Sequence, residues 1–504
     1  MANFNESIDH NTLEDIGNGL GLEHDVQCDP PSGINVLIIG AGVGGLTAAL
    51  ECHRKGHSVR IWERSESAVA GGDMFTIGLS GRRFVNNYPE MVKELDRISV
   101  HNAFLQYRRH TGEAIGEAKP FAVMWAKAGI DPKNVPMVMQ MRVLWHTMLW
   151  RQVEKFNIEV LFGKRVVEYF EDAERGVAGV STDQGERTEA DVVLAADGLN
   201  SSSQQLVMPN GNKGTRSGRS VFRSAYPLHL AMANPLIKEY FGPKDGRFPI
   251  TQTWLGPDTH LVALCYIDRE GKNDQMVWGI TYHEKGEQST KESWHQTVSS
   301  EDVLSILDET PGWGEPLKAM VEATPPGHIV HWPLIFRNPQ PVWHSPVARV
   351  LQIGDAAHSF LPTSGNGATQ AIEDAVTIAE CLKQGGKDNI PTAIKTHNLL
   401  RFDRVSCGQR LGWANAERMH KTDFSKGPVD VSKVQSRVPK WLFQHDPEVY
   451  AVANYAKAAA SIVDGTSFEN TNIPPGYVPA AWTMEEVLAR EAEGKSIELS
   501  GDWS

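Results

Sequence analysis

Apolar positions along this chain fall into two periods, and the change between them marks its organisation. Residues 34–39 are an uncharged apolar run rich in β-branched side chains, which predicts a strand buried on both faces. Residues 46–55 continue in helix-forming residues, and residues 58–63 predict a second strand ending in Glu63. A polar, helical stretch is expected to about residue 135. Residues 138–149 then predict a short strand feeding a helix with apolar residues at helical spacing, and residues 158–162 another strand. Residues 176–182 and 187–196 bracket Asp183-Gln184-Gly185 and predict a hairpin, with 192–196 a buried strand that ends on Asp197-Gly198.

From about residue 216 to 345 the texture changes. Short aromatic and β-branched runs at 220–225, 251–255, 261–267 and 276–282, separated by Gly, Pro and Asp, predict one antiparallel sheet with a few helices. The α/β pattern returns with a strand at 349–355. A helix follows at 368–382, with Ala371, Ala375, Ile378, Ala379 and Leu382 on its apolar face. The expected fold class is α/β: a Rossmann-like domain, residues 33–215 and 346–420, interrupted by a β-rich substrate domain, residues 216–345. A polar N-terminal tail, residues 1–32, precedes it, and a helical C-terminal extension, residues 421–504, follows. This arrangement places a cleft between the two domains, where a second small molecule meets the first.

Between the first strand and first helix, Gly40, Gly42 and Gly45 fall on G-x-G-x-x-G spacing. Gly40 permits the tight turn, Gly42 lets backbone approach a pyrophosphate, and Gly45 lets the helix pack closely on the strand. Free N–H groups at the positive end of that helix suit phosphate. Glu63 lies 18 residues beyond Gly45, about the separation expected of a carboxylate that accepts from a ribose hydroxyl. Residues 34–50 are uncharged and almost long enough to span a membrane, but four glycines in six residues and Asn35 within the run argue against that.

Composition narrows the function class. The 504 residues suffice for two or three domains, and 41% hydrophobic with 22% charged residues is ordinary for a globular chain. A net charge of −13 argues against a nucleic-acid partner, and no basic amphipathic face suits a membrane surface. The five cysteines, Cys28, Cys52, Cys265, Cys381 and Cys407, are scattered and form no C-x-x-C pair, which suits a reducing compartment without a zinc site. The N-terminus lacks the basic region of a signal peptide, so the expected location is the cytoplasm.

Three separated segments together resemble the FAD-dependent aromatic hydroxylases, the family of 4-hydroxybenzoate and salicylate hydroxylases and many secondary-metabolism monooxygenases. They are the Gly40 to Gly45 loop with Glu63; the strand ending in Asp197-Gly198; and Gly354-Asp355-Ala356-Ala357-His358, followed by Pro362 and a Gly365-Asn366-Gly367 turn. The resemblance covers roughly residues 34–415. It implies that Gly354 and Asp355 receive the ribityl hydroxyls of FAD, that Asp197 and Gly198 lie beside its pyrophosphate, and that Arg142, at a helix start, contacts it. The Gly365-Asn366-Gly367 turn and the helix after it direct backbone N–H groups at the flavin ring, where they stabilise the charge of a reduced flavin. His358 is read as structural. On the substrate side, Arg223 and Tyr226 resemble strand residues that face substrate in several family members. Arg223 offers charge-assisted hydrogen bonds to a phenolate or carbonyl oxygen. Strict alternation puts the two on opposite faces unless the strand bends at Pro227. Trp254 and His331 are weaker cleft candidates.

The activity the resemblance implies is an NAD(P)H-using monooxygenation. O₂ adds to reduced FAD as a flavin hydroperoxide, and one oxygen passes to an electron-rich aromatic, indole or polyketide-type small molecule. The alternatives are a flavin-dependent reductase or dehydrogenase of a prenylated substrate, and a non-catalytic prenyl-binding protein of similar fold. Substrate identity, the choice between NADH and NADPH, and the oligomeric state are left open by the motifs.

Overall fold

The computed structural model describes residues 26–68, 72–101, 103–127, 137–209, 211, 214–243, 249–284, 296–421 and 429–503. Most of the expected N-terminal tail, and residues 70 and 71 of the glycine-rich loop before Asp73, lie outside the described residues.

Five short strands form a parallel sheet in the order Val350–Gln352, Val192–Ala195, Asn35–Ile39, Ser58–Trp62, Glu159–Leu161. Val192–Ala195 is buried along its whole length, which explains its unbroken apolar sequence. The helix Val43–Arg54 lies on this sheet and packs against the helix Gly367–Gly385 so closely that a Cβ on Gly44 would come within 3.4 Å of the Ala371 Cβ. Val177–Thr182 and Arg187–Ala190 make the expected hairpin, and Val166–Asp172 adds a third antiparallel strand.

The second sheet has eight strands, in the order Thr297–Val298, Ile329–Phe336, Thr215–Pro227, Gln275–His283, Thr259–Tyr266, Ile250–Gly256, Phe104–Arg109, Ala114–Pro120. Two features differ from expectation. The stretch before residue 135, expected to be polar and helical, supplies the last two of these strands. The sheet is also not wholly antiparallel, because Phe104–Arg109 runs parallel to Ile250–Gly256. Its alternation is plain at Thr215–Pro227. Phe222 and Tyr226 point into a core with Trp254 and Trp278, while Val221 and Arg223 point to the opposite face.

The 31-residue helix Ile390–His420 ties the assembly together. Its Arg401 and Arg404 are almost completely buried and meet Glu373 of the preceding helix at 2.5 and 2.7 Å. Arg404 also donates to the carbonyls of Trp441 and Leu442, so the chain after residue 429 is fastened to the same helix. No described helix is long and apolar enough to cross a membrane.

Candidate FAD site and substrate cavity

The glycine loop has the mechanics its spacing predicts. Gly40 sits at φ +103°, and a Cβ there would come within 2.6 Å of the Ala196 carbonyl oxygen. A Cβ on Gly45 would lie 1.9 Å from the Gly40 oxygen, so only glycine lets the helix start this close to the turn. Gly42 differs: a Cβ there would meet no protein atom within 4 Å. Space is therefore kept open beside the N-terminus of the helix Val43–Arg54, where N–H groups lack helical partners. The loop is held from both sides. The Glu63 carboxylate accepts from the Ala41 N–H at 2.8 Å and from the Ser65 N–H at 2.8 Å. His146 Nε2 donates to the Ala41 carbonyl at 2.8 Å from the helix Arg142–Lys155. Glu63 keeps further lone pairs for a ribose hydroxyl.

Asp197 follows the strand Val192–Ala195 and lies against Gly40 of this loop. One carboxylate oxygen accepts from the Tyr169 hydroxyl at 2.8 Å, and the other is buried with no hydrogen-bond partner among the described residues. Burial raises its pKa. Gly198 follows at φ +86° with nothing near its Cβ position. On the third segment, Gly354 takes φ +58° and its N–H donates to buried Asp374 Oδ2 at 2.9 Å. Asp355 is the exposed residue between buried Gly354 and Ala356, so it opens into the cleft. Surrounding protein raises its carboxyl pKa, opposed by His358, Arg142 and Arg337. Arg142, the first residue of its helix, is likewise open to cleft solvent yet closely surrounded. Burial lowers its guanidinium and Asp355 counteracts this. Gly365, at φ +57°, leads into the helix Gly367–Gly385, whose capping residue Asn366 has both side-chain amide atoms buried and unpartnered among the described residues. His358 is structural: its Nε2 lies 2.6 Å from Asp374 Oδ2.

These residues fit FAD. Open space at Gly42, unpartnered polar atoms at Asp197 and Asn366, an open carboxylate at Asp355 and an arginine facing it are what a bound dinucleotide with a polar ring edge needs.

A cavity of about 1020 Å³ lies beside this site. Pro362 and Gly365 form part of its wall, and Phe104, Trp125, Met139, Val277 and Phe443 supply much of its apolar lining. Arg223 lies in the wall. Its Nε donates to Asp73 Oδ2 at 2.7 Å, and its Nη2 makes a second, shorter bond to Oδ1. Asp73 is buried, which raises its carboxyl pKa, while Arg223 and Arg142 pull it down. Its backbone carbonyl accepts from the Arg142 N–H at 2.9 Å, so Asp73 links the arginine at the FAD end to the arginine at the substrate end. On another wall, His260 Nδ1 lies 2.6 Å from His420 Nε2. Burial and nearby Arg219 lower His260 to about 4.

Tyr226 requires a correction. It is fully buried in the core on the far face of its strand, where its hydroxyl donates to the Met320 carbonyl at 3.4 Å and meets the Thr324 side chain. The strand pairs in unbroken register from Arg219 to Pro227, so alternation keeps Tyr226 off the cavity face. Trp254 and His331 are buried in the sheet and do not line the cavity either. Pattern reading missed Asn415 and Arg437, which no local signal marks; it expected the Ala70-Gly71-Gly72-Asp73 loop near the dinucleotide but gave Asp73 no role of its own.

Fold and site together define an FAD-dependent monooxygenase, and the chain belongs to that family. The FAD binding domain family model matches residues 33–388. The chain is 41% identical to the FAD-dependent monooxygenase dmxR9 of Cryptosporiopsis sp. (strain 8999), over 97% of this chain and 94% of that protein. It is 40% identical to the FAD-dependent monooxygenase mdpD of Emericella nidulans, over 94% of this chain and 91% of that one. Among solved structures, CtdE in complex with FAD and a substrate superposes with a TM-score of 0.75 at 25% identity, covering 85% of this chain and all of that one. A salicylate hydroxylase substrate complex shares the fold, with a TM-score of 0.66 at 20% identity over 85% of this chain and 98% of that one.

Proposed function

We propose that this monooxygenase takes electrons from NADH or NADPH and oxygen from O₂, and hydroxylates or epoxidises an electron-rich aromatic, indole or polyketide-type small molecule in secondary metabolism. The observation that carries the reading is the cavity of about 1020 Å³, largely apolar, that meets the FAD site at Asp73, Arg223 and Gly365. Its size is at the upper end for a small-molecule pocket and accommodates several fused rings.

Gly40, Gly42, Gly45 and Glu63 would hold the adenine end of FAD, with Asp197 and Gly198 beside its pyrophosphate and Arg142, Gly354 and Asp355 along its ribityl chain. Gly365 and Gly367 would lie at its ring. Bound FAD supplies the redox chemistry that activates O₂. The chain's own share is placement and electrostatics. Arg223, held by Asp73, presents guanidinium N–H groups toward the cavity, where they favour negative charge developing on a substrate oxygen. The apolar walls exclude water from the reacting atoms.

The test is NAD(P)H oxidation by the FAD-loaded enzyme across a panel of hydroxylated two- and three-ring aromatics and indoles. Stimulation by one or more members is expected. A yellow, folded enzyme that no member stimulates contradicts the reading.

A further inference from the structure

The strand Thr215–Pro227 carries Arg223 on its cavity face, held by Asp73. Four residues earlier, and so on the same face, stands Arg219. It is buried, and its Nη2 donates to both carboxylate oxygens of Glu491, in the C-terminal extension, at 3.1 and 3.2 Å. Its Nε donates to His283 Nε2 at 3.2 Å, and its guanidinium lies 5.2 Å from the centre of a Trp413 ring. Asp258 and Glu417 act on Arg219 only at longer range, so Glu491 is its one hydrogen-bonded countercharge among the described residues.

This pair sits one step outside the cavity. Val221, Thr281 and His260 lie opposite one another across three neighbouring strands, and all three line the cavity. Arg219 and His283 form the next row on that face, about 7 Å further along the strands. His420 joins the two rows, with its Nε2 2.6 Å from His260 Nδ1 and its ring 5.9 Å from that of His283. The helix Met484–Ala492 covers the outer row. Its start is fixed by the capping box of Thr483 and Glu486 and by Asn338, whose Oδ1 accepts from the Met484 N–H at 2.7 Å. Trp482, Met484 and Val487 then share a buried cluster with Trp413 and with Val221 of the cavity wall. Glu491 follows Val487 by four residues, on the same helix face. Without it Arg219 is a buried and uncompensated cation directly behind the cavity wall.

We infer that Glu491 is a positioning residue for the reaction: by holding Arg219 it seats the helix Met484–Ala492 behind the Val221–Thr281–His260 row and closes the cavity to water on that side. This rests on the reading of the cavity as the substrate site. The C-terminal extension is then a working part of the cavity wall, pinned at one end of its helix by Asn338 and at the other by Arg219.

The test is hydrogen exchange, read by mass spectrometry, on the FAD-loaded wild type and the variants Glu491→Gln, Glu491→Ala and Glu491→Asp. In the Gln and Ala variants exchange should rise about tenfold or more in residues 484–492 and also in residues 259–264, which carry His260, while residues 35–50 keep wild-type rates. Glu491→Asp should retain most of the protection. A rise confined to residues 484–492, a rise that includes residues 35–50, or no rise at all overturns the inference. The second readout is product formed per NAD(P)H oxidised, with the first aromatic that stimulates oxidation. It should fall by about half or more in the Gln and Ala variants at unchanged FAD occupancy, because water then reaches the reacting atoms. An unchanged ratio overturns the inference. If no aromatic stimulates the wild type, the functional reading fails, and the exchange pattern still decides whether Glu491 seats the wall.

Discussion

The carboxylate of Asp374 accepts from the backbone N–H of Gly354 at 2.9 Å, joining a helix interior to the loop that carries Asp355. Its same oxygen meets His358 Nε2 at 2.6 Å, and its other oxygen meets Arg401 Nε at 2.9 Å. Burial alone would raise its pKa, but His358 and Arg401 reverse this and hold the carboxyl well below the usual range. Glu373 is depressed in the same way by Arg404 and Arg401 against the effect of burial. Asp374→Asn leaves Arg401 and His358 without their full countercharge, and a destabilisation on the order of 3–5 kcal/mol is expected. Because both folded-state pKa values are depressed, the stability these carboxylates contribute is complete above about pH 5 and lost as pH falls below about 4. Denaturant melts of wild type and Asp374→Asn from pH 7 to 3 check both statements: the variant should be weaker throughout and lose less on acidification.

Gly42 and Gly45 separate cofactor binding from folding. At Gly42 the backbone is extended (φ −74°, ψ −177°), which alanine adopts, and a Cβ meets no protein atom. Gly42→Ala should leave apoprotein stability within about 0.5 kcal/mol while weakening FAD by at least about tenfold. Gly45→Ala places a Cβ 1.9 Å from the Gly40 oxygen and should damage the fold itself. Apoprotein melts and FAD titrations of the two variants distinguish the cases.

Arg223 and Tyr226 should behave oppositely. Arg223→Ala leaves FAD bound but removes the cavity donors, so product formation should fall by about 10²-fold or more. Tyr226→Phe deletes a hydroxyl buried in the core on the face away from the cavity, so turnover should stay near wild type. Product assays with FAD occupancy measured alongside decide this.

The glycine loop and the strand-end turns were legible because their parts are local. Gly40 to Gly45, Asp197-Gly198 and Gly354-Asp355 each end a short apolar strand, and turn chemistry follows strand ends closely. The strands Phe104–Arg109 and Ala114–Pro120 were not legible, because the first pairs with Ile250–Gly256, more than a hundred residues away, and polar alternation at a sheet edge looks like surface helix. Tyr226 was misplaced although alternation against Arg223 already pointed to the answer. Arg437 lies in a stretch without periodicity or motif. Its backbone contact with Asn415 helps hold that stretch against the long helix.

The His260–His420 pair gives a second pH signature. Both are lowered by burial, His260 to about 4, and Arg219 and, for His420, His260 add to it. The unfolded chain therefore binds more protons between about pH 4 and 6.5, so stability rises with pH across that window and is complete above it. Wild type should lose roughly 1–2 kcal/mol through His260 between pH 7 and 5. Denaturant melts of His260→Gln should show a flatter slope over that interval.

Above all, one atom of O₂ should reach an aromatic held between the FAD site and the wall at Arg223. Turnover under ¹⁸O₂ in ordinary water, with the first aromatic that stimulates NAD(P)H oxidation and mass analysis of its product, tests this most directly. One ¹⁸O atom per product molecule is predicted. A product that is merely reduced or dehydrogenated, or whose new oxygen comes from water, contradicts it.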